Sequence, residues 1–376
     1  MKHLALLIPT LDRIGGAEQQ VLLLAQGLRA RGWRVSVVAL SGTGGDAAAK
    51  LRAAGGGFLS LEMRKGLADP RGWLRFNRWL LCEKPDVLHA HLPHAAWMAR
   101  WSRLCAPVRV LIDTIHSTAT GTWGRRVGYK ASNSLPDRVT AVSRAVAEAW
   151  QAAGMVSSEK LTVVPNGVDV AAWKPDAAVR ASLRAELKLE NEFLWLAAGR
   201  LEPVKDYPTL LRAMAQIPEN ATLVIAGQGP LHTSLLQLTH KLAIEKRVRF
   251  LGFEPNVLRW MQAADGFILS SLREGLPMGL LEAAAGALPA VATGIPGTRE
   301  AILDGQTGLL VEPGNSESLR AAMNTMMNLT QQERAAMGER ARLHIADHFS
   351  LEAVLDQWEA LYAELLQQNH QPKRWS

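Results

Sequence analysis

The sequence predicts an α/β protein made of two doubly wound parallel-sheet domains in tandem. Three observations carry this. Short apolar runs alternate with helix-period segments almost from end to end. Several runs are apolar at successive positions, as parallel strands covered on both faces require. The rhythm breaks once, in VVPNGVDVAAWKPD (residues 163–176), where Asn166-Gly167 and two prolines interrupt the backbone, and then restarts. A chain of 376 residues has room for two domains of roughly 150–200 residues.

Taken in order, the strand candidates of the first half are residues 4–8, 35–40, 87–90, 108–112, 139–142 and 161–164. Helical segments 17–31, 71–83, 95–104 and 144–153 separate them. The first run, Leu4 to Ile8, is too short for a signal-peptide core and has no small-residue cleavage site behind it, so it reads as a buried strand. The interdomain linker is placed at 163–176. Beyond it come strands 193–198, 222–226, 248–251, 266–269, 290–292 and 308–311. Their helices are 207–216, 231–242, 257–263, 278–286, 316–327 and 331–348. The final helix, 351–367, spaces Leu351, Val354, Leu355, Trp358, Leu361, Tyr362 and Leu365 by threes and fours. That apolar stripe must pack on something, while the polar tail from Asn369 is expected to fray. The halves share an architecture but no sequence repeat.

Composition narrows the function classes. Hydrophobic residues are 48% and charged residues 20%, a globular balance that excludes disordered and fibrous chains. No stretch reaches 18 apolar residues, so no membrane-spanning helix is expected. A cytoplasmic protein, free or peripheral on the cytoplasmic face of a membrane, is the expectation. Cys82 and Cys105 lie among apolar or aromatic neighbours and read as two buried thiols in a reducing compartment. The net charge of +7 is uneven: residues 1–165 hold 22 Lys+Arg against 11 Asp+Glu, and the remainder holds 20 against 24. The basic half is expected to meet a lipid headgroup surface, a lipid phosphate or nucleic acid. Twelve tryptophans favour an interfacial role.

Several motifs carry chemistry. Gly15 and Gly16 follow the first strand and open a helix, but outside a G-x-G-x-x-G pattern. They serve either close backbone approach to a ligand or an ordinary turn. His89, His91 and His94 crowd into PDVLHAHLPH without the cysteine or acidic spacing of a metal site, so they read as a strand end lining a cleft. His116 ends the next strand, where open α/β sheets bind ligands, and is either a substrate contact or a structural histidine. Arg200 and Lys205 lie in GRLEPVKDY after the first strand of the second half; they are cations for a diphosphate or solvated surface charges.

Residues 270–300 place Glu274 and Glu282 eight apart around Gly275-Leu276-Pro277-Met278-Gly279, in a strand–turn–helix context that favours an anion at the helix start. Carboxylates flanking a scissile glycosidic bond are one role; ligands for sugar and ribose hydroxyls are the preferred one. No Asp-x-Asp motif occurs, so no metal-bridged diphosphate is expected. Finally, Arg71, Arg75 and Arg78 share one helix face, and Trp73, Phe76 and Leu80 another. The helix suits an anionic membrane surface, or packs its aromatics on the core. Arg100, Arg103, Arg125, Arg126 and Lys130 add positive charge nearby.

In this order and spacing the motifs resemble the retaining GT-B glycosyltransferases of glycosyltransferase family 4. The resemblance runs through GGAE, PDVLHAH, His116, VVPNGVD, GRLEPVKDYPTLL, AGQGP, FLGF, EGLPMGLLEA with its paired glutamates, and GLLVEPGN. It implies two Rossmann-like domains facing a central cleft: an acceptor-binding domain at 1–168, joined by the returning helix 351–376, and a donor-binding domain at 169–350. It implies that Arg200 and Lys205 grip the donor diphosphate, Glu274 the sugar and Glu282 the ribose. Backbone of Leu276, Pro277, Met278, Gly279 and Leu280 would meet sugar and phosphates, and Leu251, Gly252 and Val257 the base. Gly15, Gly16 and His116 would approach from the other domain. Transfer would retain anomeric configuration and need neither cofactor nor metal. The donor favoured is a UDP-sugar, and the acceptor a glycan or lipid-linked saccharide in polysaccharide or glycolipid assembly. TGIPGTRE departs from the family pattern, because Gly294 and Gly297 are separated. A nucleotide-sugar epimerase or hydrolase of the same fold is the alternative, and a non-catalytic sugar- or nucleic-acid-binding module a third reading. No nucleic-acid partner is expected.

Overall fold

The computed structural model describes residues 1–64, 69–189 and 191–369. The chain divides into two compact units, Met1–Gly167 together with the stretch from Leu351, and Val168–Ser350. The last seven residues of the expected helix 351–376 lie outside the described residues.

In the first unit the elements run β1 (His3–Ile8), α1 (Gly16–Ala30), β2 (Arg34–Ala39), α2 (Gly45–Ala53), β3 (Gly57–Ser60), α3 (Pro70–Glu83), β4 (Val87–His91), α4 (Pro93–Ser102), β5 (Val110–Ile115), α5 (Trp123–Ala131), β6 (Arg138–Ala141), α6 (Arg144–Ala152) and β7 (Leu161–Val163). The seven parallel strands stand in the order β3-β2-β1-β4-β5-β6-β7. The order reverses between β1 and β4, so the segments leaving those strands flank the switch point where such sheets take ligands. β1 is buried at every position, as its unbroken apolar run requires.

The second unit runs α7 (Ala177–Leu187), β8 (Phe193–Ala198), α8 (Tyr207–Met214), β9 (Ala221–Ala226), α9 (His232–Lys241), β10 (Val248–Gly252), α10 (Val257–Ala263), β11 (Gly266–Leu269), α11 (Met278–Ala285), β12 (Ala290–Thr293), α12 (Pro296–Arg299), β13 (Gly308–Val311), α13 (Ser316–Asn328) and α14 (Gln331–Phe349). Its parallel sheet has the order β10-β9-β8-β11-β12-β13, with the switch point between β8 and β11. Side-chain caps start several helices: Asp176 on α7, Asn315 on α13, and Thr330 with Glu333 as a capping box on α14.

The final helix, α15 (Leu351–Gln368), belongs to the first unit. Its stripe of Val354, Leu355, Trp358, Leu361, Tyr362, Leu365 and Leu366 is buried in the core formed with α1 and the sheet. At about 1.5–3 kcal/mol per buried side chain, that face alone holds the helix by roughly 10 kcal/mol or more. Arg31 bridges Glu352, Asp356 and Glu359, and Arg109 donates to the carbonyls of Leu366 and Asn369, the last of which the sequence assigned to a frayed tail.

The structure corrects several expectations. Cys82 and Cys105 are both exposed: each sits on the outward side of its segment despite apolar neighbours in sequence. Arg100 and Arg103 add nothing to a basic surface. Both are fully buried, paired with Asp113 at 2.9 Å and Asp137 at 2.6 Å. Of the two readings of α3, the aromatic face follows the core-packing one, with Phe76 and Leu80 buried and Trp73 packed against the same core. Arg71, Arg75 and Arg78 are exposed, and Arg75 pairs with Glu62 at 2.7 Å. The sequence reading also passed over α2, β3, α5, α7 and the short α12. Glycine-rich flanks mask α2 and β3, and α5 and α7 bury almost nothing, only Tyr129 and Leu183 respectively, so no apolar period marks them.

Candidate functional site

Each unit carries chemistry at the carboxyl ends of its strands. In the second unit, the segment after β8 holds Arg200 and Lys205, and the segment after β11 holds Glu274. These segments flank the switch point and are stitched together there. Leu272 N–H donates to the Val204 carbonyl at 2.8 Å, and Ser270 Oγ to the Lys205 carbonyl at 2.8 Å. Across this seam Lys205 Nζ donates to Glu274 Oε1 at 2.5 Å. Ser271 Oγ donates to the same oxygen at 2.6 Å, and Thr293 Oγ1 holds the Ser271 carbonyl at 2.5 Å. Lys205 and Glu274 side chains are 18% and 14% exposed, so the pair is largely shielded yet reachable.

The turn 275–277 then opens α11. Leu276, Met278 and Leu280 are buried, so their side chains pack into the unit, and the positive end of the α11 dipole lies at this turn. Gly279 packs closely: an added Cβ would lie 3.3 Å from the Phe267 ring. The turn is braced by α12. A Cβ on Gly297 would stand 2.3 Å from the Gly275 carbonyl oxygen and 2.9 Å from that of Glu274. Of the separated glycines of TGIPGTRE, Gly297 thus has a clear role, bringing α12 against the Glu274 turn.

Glu282 lies half-buried one turn into α11, and no side-chain hydrogen bond or ion pair reaches its carboxylate among the described residues. Burial raises its pKa from 4.5 to about 7. Arg200 stands apart from the Lys205–Glu274 pair. Its side chain is 69% exposed and bridges Glu202 at 2.9 Å. Gly227 approaches Gly199 so closely that a Cβ would fall 1.9 Å from the Gly199 oxygen. Gly227 N–H donates to the Gly252 carbonyl, which sets Leu251 and Gly252 along the same strand-end row. Val257 is the first residue of α10, half-buried.

In the first unit, Gly15 caps α1 in an extended conformation and Gly16 begins the helix. The Gly15 N–H donates to Glu18 Oε2 at 3.0 Å, so a carboxylate of the chain itself sits on this glycine loop. His91 and His116 end β4 and follow β5, and their rings meet, His91 Nδ1 to His116 Nε2, at 3.1 Å. Burial lowers the His116 pKa to about 4 and takes His91 well below its ordinary value. Both are neutral at pH 7 and can hydrogen-bond but not offer positive charge. With Gln20, Thr114, Asn166 and Trp358 they line a cavity of about 20 Å³, the room of one water. His89 is committed elsewhere, to Tyr362 at 2.7 Å and Thr114 at 2.6 Å. No cluster of three or more metal-ligating side chains forms among the described residues.

Three residues that hold this geometry escaped sequence reasoning: Ser271, His91 as a partner of His116, and Tyr207, whose hydroxyl donates to the Gly199 carbonyl at 3.0 Å. Tyr207 closes the GRLEPVKDY motif, so position could have flagged it. Nothing in sequence reports a contact between residues 205 and 274.

Comparison with known proteins covers both halves. Residues 14–172 match the family model described as Glycosyltransferase Family 4, and residues 179–344 match Glycosyl transferases group 1. The chain is 29% identical over 306 residues to the N-acetyl-alpha-D-glucosaminyl L-malate synthase of Bacillus anthracis, covering 77% of this chain and 78% of that protein. It is 25% identical over 316 residues to the UDP-Gal:alpha-D-GlcNAc-diphosphoundecaprenol alpha-1,3-galactosyltransferase of Escherichia coli, covering 80% and 81%. Among solved structures, Anabaena HepE in complex with UDP-glucose superposes with a TM-score of 0.86 at 24% identity, covering 97% of this chain and 99% of that one. Sucrose-phosphate synthase of Thermosynechococcus elongatus gives 0.85 at 20% identity, covering 98% and 100%.

Proposed function

The chain is a family 4-like glycosyltransferase of GT-B fold, and we propose that it moves a sugar, with retention of configuration, from a UDP-sugar to a lipid-linked or glycan acceptor. The observation that carries the donor site is the meeting of Lys205, Glu274 and the start of α11 at the switch point of the second sheet. A cation, a carboxylate and a helix N-terminus within one shielded seam suit the three parts of a sugar diphosphate.

In this reading Lys205 and Arg200 compensate the diphosphate as it leaves, without a metal. Arg200 must turn from Glu202 to do so. Glu274 accepts hydrogen bonds from sugar hydroxyls, held in place by Ser271. Glu282 accepts from the ribose, and the ligand replaces the partner its carboxylate lacks. Backbone from Leu276 to Leu280 meets the phosphates and sugar, while Leu251, Gly252 and Val257 flank the base. The first unit supplies acceptor binding, with neutral His116 hydrogen-bonding near the reacting sugar and Gly15 and Gly16 offering backbone to the phosphates. A phosphate at that loop competes with the Glu18 carboxylate for the Gly15 N–H. A donor-phosphate oxygen takes the acceptor's proton.

Two names support the choice of substrates. The Escherichia coli relative is named for UDP-Gal and a diphosphoundecaprenol acceptor, and the Anabaena neighbour was solved with UDP-glucose. The test is a thermal-shift and turnover screen of nucleotide sugars. A UDP-sugar is expected to stabilise the protein, and Lys205→Ala is expected to lower kcat by about 100- to 1,000-fold. Lack of response to every nucleotide sugar, with Lys205→Ala and Glu274→Ala also silent, refutes the assignment. An inverted anomeric centre in the product refutes retention alone.

A further inference from the structure

The helical layer of the first unit carries an apolar surface that the donor chemistry does not use. Trp97, Trp101 and Leu104, along α4 and just past its end, are 41%, 41% and 47% exposed. On α5, Trp123 is 80% and Val127 47% exposed. Each set recurs at helical spacing, so each forms one stripe. The stripes adjoin. Arg100 of α4 stacks 3.7 Å from the Tyr129 ring of α5, and the Trp97 indole lies against Gly128, where an added Cβ would be 2.2 Å from it.

The exposed charges of α4, α5 and the chain joining them have one sign. Arg125 and Lys130 are exposed and Arg126 half-buried. Between residues 87 and 136 the single carboxylate is Asp113, which is 1% exposed and neutralised by Arg100. Three accessible indoles bordered by cations, with no exposed carboxylate between residues 87 and 136, match the boundary between acyl chains and anionic headgroups, although Glu148 on α6, which meets α5 through Trp150 and Tyr129, is exposed nearby. An exposed apolar patch rimmed by polar residues marks a binding face.

We propose that the outer face of α4 and α5 docks on an anionic lipid bilayer. Trp123, Val127 and Trp101 enter the headgroup–acyl boundary, and Arg125, Arg126 and Lys130 lie on lipid phosphates. This moves the membrane contact from α3, whose Phe76 is buried and whose Trp73 and Trp79 pack against the core, to α4 and α5. It does not depend on the identity of the donor.

The test is flotation of the full chain with phosphatidylcholine vesicles, with and without phosphatidylglycerol. Binding is expected only with the anionic lipid, weakening as salt rises, with a blue shift of tryptophan emission. Trp123→Glu with Val127→Glu is expected to cut vesicle binding at least about tenfold, and so is replacing Arg125, Arg126 and Lys130 by Gln. Replacing Arg71, Arg75 and Arg78 by Gln is expected to leave most of it. All variants should melt as the parent does and keep their response to UDP-sugars, which separates this result from any failure of the donor assignment. The proposal falls if the parent ignores anionic vesicles at low salt, or if the Trp123/Val127 variant floats as well as the parent. It also falls if that variant converts a dimer to a monomer, or if duplex DNA is bound more tightly than vesicles through the same cations.

Discussion

Replacing Glu282 by glutamine sets stability against donor binding. The carboxylate lies half-buried on α11 without a partner among the described residues, and burial moves its pKa from 4.5 to about 7. At 1.36 kcal/mol per pH unit, ionising it above pH 7 costs the folded chain up to about 3 kcal/mol; its partial exposure reduces this to about 1–2 kcal/mol. The folded form holds more proton than the unfolded chain between the two pKa values. The parent therefore loses stability as pH rises through that window. Glu282→Gln, which has no charge to desolvate, is expected to be more stable than the parent by about 1–2 kcal/mol near pH 8, or about 2–8 °C in melting temperature for a domain of this size. Below 4.5 both states of the parent are protonated, so the variant's advantage should vanish there. Donor binding should move the other way. Losing charge-assisted hydrogen bonds to ribose costs about 1.5–3 kcal/mol, roughly a 10- to 100-fold weaker Kd. Melting curves across pH, with and without a UDP-sugar, read both effects. A variant no more stable than the parent near pH 8, or equally stabilised in acid, refutes the burial account. An unchanged donor response refutes the ribose role.

Other outcomes follow from particular contacts. Gly297→Ala puts a Cβ 2.3 Å from the Gly275 oxygen, so α12 must push the Glu274 turn; kinetics should show kcat/KM down by about tenfold or more with a much smaller change in melting temperature. Asp113→Asn leaves the Arg100 guanidinium buried without its counter-charge, and urea denaturation should register a loss of about 3–5 kcal/mol. On the proposed role of Arg200 and Lys205 at the diphosphate, a metal chelator is expected to leave turnover intact; inactivation reversed by a divalent cation would overturn that part.

Much of the fold was legible because parallel strands buried on both faces write themselves as unbroken apolar runs. The 266–269 strand, buried at every position, stands where such a run does. The final helix announced its packing face by the spacing from Leu351 to Leu365. What escaped were elements that bury little: the four-residue edge strand β3 and the exposed helix α5 leave no periodic trace. The site was legible as residue types at strand ends, but not as contacts. Lys205 and Glu274 are 69 positions apart, and only the β8–β11 neighbourhood makes them partners.

Taken alone, the sequence determined the class of fold and offered candidate side chains for a sugar-diphosphate site, since hydrophobic period and residue type are local properties. Tertiary structure decided which of those groups meet and which charges reach solvent. It paired Lys205 with Glu274, left Glu282 half-buried without a partner, and turned Arg200 toward Glu202. It also buried Arg100 and Arg103 while exposing Trp123 and both cysteines. Burial and pairing depend on neighbours brought in from distant positions, and those neighbours set the electrostatic energy of every charge in the site.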